Sequence, residues 1–293
     1  MTKSLLYQAY GQAGIINECR YSLLRLLATY GNQPIPDVVV YTDQPEAFAA
    51  FKEKMPLHIQ TITAAGITAW KGNIQFVHRV KIEIIKHCLQ QRGGKVIYLD
   101  TDTYCLDTCE HLFNAIQPNQ VLFHADEGRI DQPQNLHMRK WKQFLETNAI
   151  AALREPNALH THMYNAGLIG LSAEHLPVVE AALTLTDALY PLFPRHTVEQ
   201  FSFCYSFQQK GIAIKEAADQ VFHYWDLKEF RDLLQRFFEK YTGNTVDALA
   251  AKSADILPAA IVTDKRLYNN RNTLQKLISN IGGKAWTIDR YTV

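Results

Sequence analysis

The sequence predicts an α/β protein whose mostly parallel (mixed) sheet is flanked by helices. Its first two thirds alternate short apolar runs with longer helical patterns, three strand–helix units fall within the first hundred residues, and glycines stand where the helical patterns stop. A strand that returns through a helix to a parallel neighbour yields a sheet covered on both faces.

In chain order, Leu5 to Tyr10 reads as a strand, and Gly11 and Gly14 mark a loop. Asn17 is placed to cap a helix from about Glu18 to Tyr30, which carries Leu23, Leu24 and Leu27 and stops at Gly31. Val38 to Tyr41 is the next buried strand, running into Thr42 and Asp43. Phe76 to Gln91 has helical spacing, with Phe76, Val80 and Ile84 on one side and Arg79, Glu83 and Lys86 on another, closed by Gly93-Gly94. Val96 to Leu99 then forms a strand that ends at Asp100. Further on, Val121 to Ala125 reads as a strand, Asp126 to Asn135 as a polar loop, Leu168 to Leu171 as a strand and Ala173 to Leu192 as a helix. From Asp226 onward the pattern is helical, with Phe230, Leu233, Leu234, Phe237 and Tyr241 in phase. The expected organisation is an α/β domain over residues 1–225 with a helical extension, 226–293, packed on it.

The 293 residues suffice for a sizeable core without staples. A net charge of +1 gives no global reason to expect a nucleic-acid partner. No apolar run approaches the length of a transmembrane segment, and the N-terminus lacks a signal-peptide pattern. The five cysteines form no C-x-x-C pair and are an odd number, which fits reduced thiols in a cytoplasmic protein.

The strongest local signal is Tyr98-Leu99-Asp100-Thr101-Asp102. Carboxylates at i and i+2 at the carboxyl end of a strand point to one side, where open α/β sheets bind ligands. Such a pair can hold Mg²⁺ or Mn²⁺ against a nucleotide diphosphate. Thr197-Val198-Glu199-Gln200 fits a capping box. Asn165 is a turn residue or a partner for sugar hydroxyls, and Arg79 a phosphate or sugar contact or the partner of Glu83. Asp126 and Glu127 follow a strand, as acceptor-side groups or a solvated loop.

These motifs together resemble the GT-A glycosyltransferases, and more narrowly family eight. The resemblance runs through the Asp-x-Asp strand, then Tyr164-Asn165-Ala166-Gly167-Leu168-Ile169-Gly170-Leu171, then Glu199-Gln200 where the family has Asp-Gln, then His223-Tyr224-Trp225. It spans about Leu5 to Lys228. It implies a GT-A-like fold and transfer of a hexose, with retention, from a UDP-sugar to a hydroxyl acceptor on a glycan, lipid or protein. It implies Asp100, Asp102 and His223 as ligands of the metal and Asp43 at the nucleoside. Asn165, Glu199 and Gln200 would face the sugar. Lys228, five positions after His223 where the family has six, stands nearest to the family's phosphate contact. Two other readings use the same residues: a haloacid-dehalogenase-like phosphatase, and a catalytically idle nucleotide- or carbohydrate-binding protein.

Overall fold

The computed structural model describes residues 1–153, 158–276 and 285–293. Along the chain lie β1 (Lys3–Ala9), α1 (Ala13–Tyr30), β2 (Asp37–Thr42), β3 (Leu57–Thr61), α2 (Ala64–Trp70), α3 (Arg79–Arg92), β4 (Lys95–Leu99), β5 (Thr103–Cys105) and α4 (Glu110–Ala115). There follow β6 (Gln120–Phe123), β7 (Asp126–Arg129), α5 (Leu136–Thr147), β8 (His162–Tyr164), β9 (Leu168–Ser172), α6 (Leu176–Leu189) and α7 (Val198–Gln209). Last come β10 (Ala213–Glu216), β11 (Val221–His223), α8 (Phe230–Lys240), α9 (Val246–Ser253) and α10 (Pro258–Asn269).

The main sheet has seven strands in the order β10-β6-β9-β4-β1-β2-β3. Only β9 runs against the others; its pairings with β4 and β6 are antiparallel and the rest are parallel. This is the expected mixed, mostly parallel sheet between helices. The chain winds outward from β1 through β2 to β3, then returns to lay β4 on the other side of β1. That reversal opens a crevice at the carboxyl ends of β1 and β4, where ligands of such sheets bind.

Alternation along each strand fills two layers. Leu5, Tyr7 and Ala9 face a cluster shared with α1, α8 and α9, while Leu6, Val96 and Tyr98 face one shared with α3, α6 and α7. A third cluster gathers around α5, with Trp141 stacked on Phe201 at 4.3 Å. Two short ribbons, β5–β11 and β7–β8, stand off the main sheet. Gly94, at φ 65°, lets the chain reverse into β4; a Cβ there would collide with the Thr2 carbonyl oxygen.

The helices after Asp226 close the first cluster. Phe230, Leu233, Leu234 and Phe237 are buried beside Leu23 and Leu24 of α1. Each such side chain contributes roughly 1.5–3 kcal/mol by leaving water, so the four together rival the roughly 5–15 kcal/mol that holds an ordinary domain folded. A chain cut at residue 225 is expected to lose its fold. Residues 277–284 of the extension lie outside the described residues. Among the described residues no helix is long and apolar enough to cross a membrane.

Several boundaries differ from expectation. The first helix starts at Ala13, so Asn17 lies inside it and accepts from Arg20 Nη1 at 3.1 Å instead of capping. The third helix starts at Arg79, after turns through Phe76 and His78. Part of the loop expected from Asp126 is the strand β7. The edge strand β3 gave too little apolar signal to be read, because only Leu57 in it is buried.

Candidate active site

Two pairings build the floor of the site. Where the β4–β9 ladder ends, the Asp100 N–H donates to the Gly167 carbonyl at 2.9 Å. In the β5–β11 ribbon Thr103 faces His223, and the Tyr224 N–H donates to the Asp102 carbonyl at 3.0 Å. His223 is thereby brought beside an aspartate 121 residues earlier. The ligand atoms of Asp100, Asp102 and His223 lie within 4.8 Å of one another. Two carboxylate oxygens and an imidazole nitrogen at that spacing suit a divalent cation, with nitrogen favouring Mn²⁺ over Mg²⁺.

The His223 ring is oriented from behind. Asn165 Oδ1 accepts the Gly167 N–H at 3.0 Å, which fixes the amide and makes that oxygen the acceptor for His223 Nδ1–H at 3.1 Å. Nε2 then faces Asp102 Oδ1 at 3.2 Å. With Nδ1 donating, that contact is a hydrogen bond only while the ring carries a second proton. A metal ion in place of that proton satisfies both partners. Gly167 makes room for the ring, since a Cβ there would overlap His223 Cε1 and Nδ1.

Each aspartate also faces an ammonium group. Lys81 Nζ lies 3.2 Å from Asp100 Oδ1 and 3.4 Å from Glu199 Oε1, and donates to the Ala166 carbonyl at 3.2 Å. Burial works against its charge, and Asp100 and then Glu199 outweigh burial and raise its pKa. Lys228 Nζ lies 2.7 Å from Asp102 Oδ2. Burial on its own would raise the Asp102 pKa; the hydrogen bond and charge of His223, then Lys228, hold it far below the usual range. For Glu199 burial prevails and pushes the pKa up to about 7, with Lys81 opposing and Asp100 adding to the rise. Among the described residues Glu199 Oε1 has no hydrogen-bond donor, because Lys81 is close enough for charge and poorly aligned for a bond. The Tyr98 hydroxyl donates to Asp100 Oδ1 at 2.8 Å.

Glu127 ties two cavity-lining amides together. Its Oε1 accepts from Asn165 Nδ2 at 3.1 Å and its Oε2 from Gln200 Nε2 at 2.8 Å. Both amide nitrogens are thus occupied.

All these side chains open on one cavity of about 790 Å³, a size typical of cofactor and substrate sites. Its two ends differ in charge. Near β1 and α8 stand Lys228 and Arg231, the latter gripped by the buried Glu18 at 3.0 Å from both Nε and Nη2. Toward α5 stand His78 and His196; burial and then the Lys81 charge push His78 down to about 4, and burial lowers His196. The α5 end therefore carries neutral rings at pH 7.

Asp100, Asp102, Asn165, Glu199, Gln200, His223 and Lys228 meet in this cavity as the motifs suggested. Arg79 does not. It is held by Asp187 at 2.6 Å, Glu83 at 2.9 Å and the Trp70 carbonyl at 2.7 Å, away from the cavity. Asp43 is exposed outside the cavity lining, where both carboxylate oxygens accept the Gly11 N–H at 3.1 Å. Asp126 is taken up by Gly128 and His162. The capping box at Thr197 is absent: its side chain makes no cap bond and accepts Trp141 Nε1–H at 2.9 Å. One residue of the cavity escaped the motif reading, Lys81, while Glu127, read as an acceptor-side group or a solvated loop, lines the cavity. A lysine inside the apolar stretch Val80 to Ile85 demands a counter-ion, and that signal was available.

No protein-family model matches the sequence, and no curated protein matches it. Among solved structures, the chain is similar to the apo form of mouse xyloside xylosyltransferase 1, at 14% identity and TM-score 0.49, covering 74% of this chain and 85% of that one. It is also similar to galactosyltransferase LgtC in complex with donor and acceptor sugar analogs, at 12% identity and TM-score 0.47, covering 72% of each chain. Likeness at this level carries neither chemistry nor substrate to the present chain.

Proposed function

We propose that the chain is a metal-dependent, GT-A-like glycosyltransferase that moves a hexose from a nucleoside diphosphate, UDP foremost, to a hydroxyl acceptor. The observation that carries this reading is the meeting of Asp100, Asp102 and His223 ligand atoms within 4.8 Å at the crevice beside β1. Asp100, Asp102 and His223 would hold Mn²⁺ or Mg²⁺, which supplies charge neutralisation for the departing diphosphate. Lys228 and Arg231 add positive charge at the same end of the cavity.

Glu199 and Gln200 enter the cavity from the first turn of α7, and Asn165 from the start of β9. In the proposal all three face the transferred sugar. In this reading the donor lies beside Lys228 and Arg231, and the neutral His78 and His196 rings toward α5 line the acceptor end. Transfer proceeds with retention, as the motif resemblance implies. Asp43 serves the nucleoside from outside the crevice. Five free, buried cysteines support the cytoplasm as the place of action.

The test is thermal unfolding with UDP in Mn²⁺ and in chelator, because a ligand bound only to the native state raises its stability. UDP is expected to stabilise the protein with Mn²⁺ and much less without. Asp100→Asn or Asp102→Asn should abolish the metal-dependent part. Equal stabilisation in chelator would sink the metal role, and hydrolysis of a generic phosphate ester would favour a phosphatase.

A further inference from the structure

The two lysines of the site differ in how firmly they are held. Lys81 is fixed: its side chain is 7% exposed and its ammonium has Asp100, Glu199 and the Ala166 carbonyl around it. Lys228 is 56% exposed and, among the described residues, its ammonium pairs with Asp102 Oδ2 alone. Asp102 itself is buried, and a buried carboxylate is not left without an opposing charge. Lys228 therefore sits on the oxygen group that a divalent cation at Asp100, Asp102 and His223 would need. An ammonium 2.7 Å from that carboxylate and a divalent ion on the same carboxylate repel each other.

We propose that Lys228 is the resident counter-ion of Asp102, displaced when cation and diphosphate arrive together. Resting on the glycosyltransferase reading above, the inference adds an order of events to it. While Lys228 neutralises Asp102, a lone cation gains little by replacing it, because the freed ammonium stays next to a doubly charged ion. A diphosphate changes this balance by giving the ammonium another anion within reach of its exposed stem. Lys81 cannot make the same exchange, since three groups hold it. Arg231 cannot either, because Glu18 grips two of its nitrogens. The metal site is thus weak when the donor is absent and strong when it is present, through one movable side chain.

The experiment uses Mn²⁺ alone and then UDP, on the full chain and on Lys228→Met and Lys228→Arg, with thermal unfolding to confirm that each is folded. Free Mn²⁺ is read by electron paramagnetic resonance. Without nucleotide, Lys228→Met is expected to bind Mn²⁺ about tenfold more tightly than the unaltered protein, and Lys228→Arg to bind it equally. At saturating Mn²⁺, Lys228→Met is expected to bind UDP about tenfold more weakly. A lysine with a merely structural role would move both affinities the same way or neither. Mn²⁺-dependent UDP binding by the unaltered protein, with unchanged or weaker Mn²⁺ binding by Lys228→Met, overturns this proposal alone. UDP binding by the unaltered protein that ignores Mn²⁺ overturns it together with the glycosyltransferase reading.

Discussion

Replacing Gly167 by alanine should disable the proposed metal site without altering Asp100, Asp102 or His223 itself. The added Cβ would overlap Cε1 and Nδ1 of His223 and approach Asn165 Oδ1 to 3.0 Å. Restoring ordinary carbon–carbon contact requires the ring to retreat by roughly 1 Å. Metal–ligand distances tolerate only about 0.2 Å, so a shift of that size removes His223 from the cation. It also breaks the Nδ1 bond to Asn165 that sets the ring's tautomer. The expected loss is about 10- to 100-fold in Mn²⁺-dependent UDP affinity. At fixed ligand, each tenfold loss takes away about 1.4 kcal/mol of ligand-induced stability, or roughly 2–5 °C of Tm for a chain of this size. Crowding itself should cost about 1–3 kcal/mol of intrinsic stability. Gly170→Ala separates the two effects, because the atoms nearest to its Cβ would be those of Leu122, at 3.0 Å from Cβ and 3.1 Å from Cδ1. It should destabilise the fold and leave the metal dependence intact. If folded Gly167→Ala keeps the full Mn²⁺-dependent stabilisation, or Gly170→Ala loses it equally, the proposed positioning of His223 is wrong.

Glu199→Gln should lower turnover about 100-fold or more if the carboxylate serves the donor sugar or the reaction centre; near-normal turnover in a folded variant would remove Glu199 from the chemistry. The same change tests its burial. With a folded pKa of about 7 against 4.5 when unfolded, Glu199 keeps its proton only in the folded state between those values, so stability should fall as pH rises from 4.5 to 7 by about 3 kcal/mol and then level off. Denaturant titrations across that range should show a flatter slope for Glu199→Gln, and identical slopes would contradict the shift. Arg79→Met should cost about 1–2 kcal/mol through the lost Asp187 and Glu83 pairs, with UDP affinity unchanged. A folded variant that no longer binds UDP would return Arg79 to the site.

Strands buried on both faces were readable, as Val38 to Tyr41 shows, since nothing but a central strand explains four successive apolar residues between helical patterns. β7 was not, because Asp126-Glu127-Gly128-Arg129 contributes site groups rather than core and so has no apolar rhythm. The first helix start was misplaced because Gln12, which precedes it, makes no side-chain cap and leaves no mark in the sequence. In the site, the strand ending at Leu99 pointed to the aspartates, although they lie in the turn between β4 and β5 rather than on the strand, whereas the neighbourhood of His223 depends on its pairing with Thr103, which no local pattern encodes. The fate of Arg79 was likewise settled by Asp187, 108 residues later. Lys81 was legible in principle: a cation among Val80, Ile82, Ile84 and Ile85 announces buried anions.

The β7–β8 ribbon has a further consequence for how such a chain can diversify. Its strands pair Asp126 with Tyr164 and Arg129 with His162, so the described residues between 130 and 161, including α5, are joined to the rest of the chain through one narrow stem. Asp100, Asp102 and His223 are themselves rooted in the main sheet and the β5–β11 ribbon, and Asn165, which orients His223, stands at the foot of the stem. Insertions, deletions or wholesale replacement above the stem would reshape the uncharged wall of the cavity and leave the cation-facing floor in register. On the proposed function, a lineage could in this way change its acceptor while the nucleotide end of the cavity stays as it is.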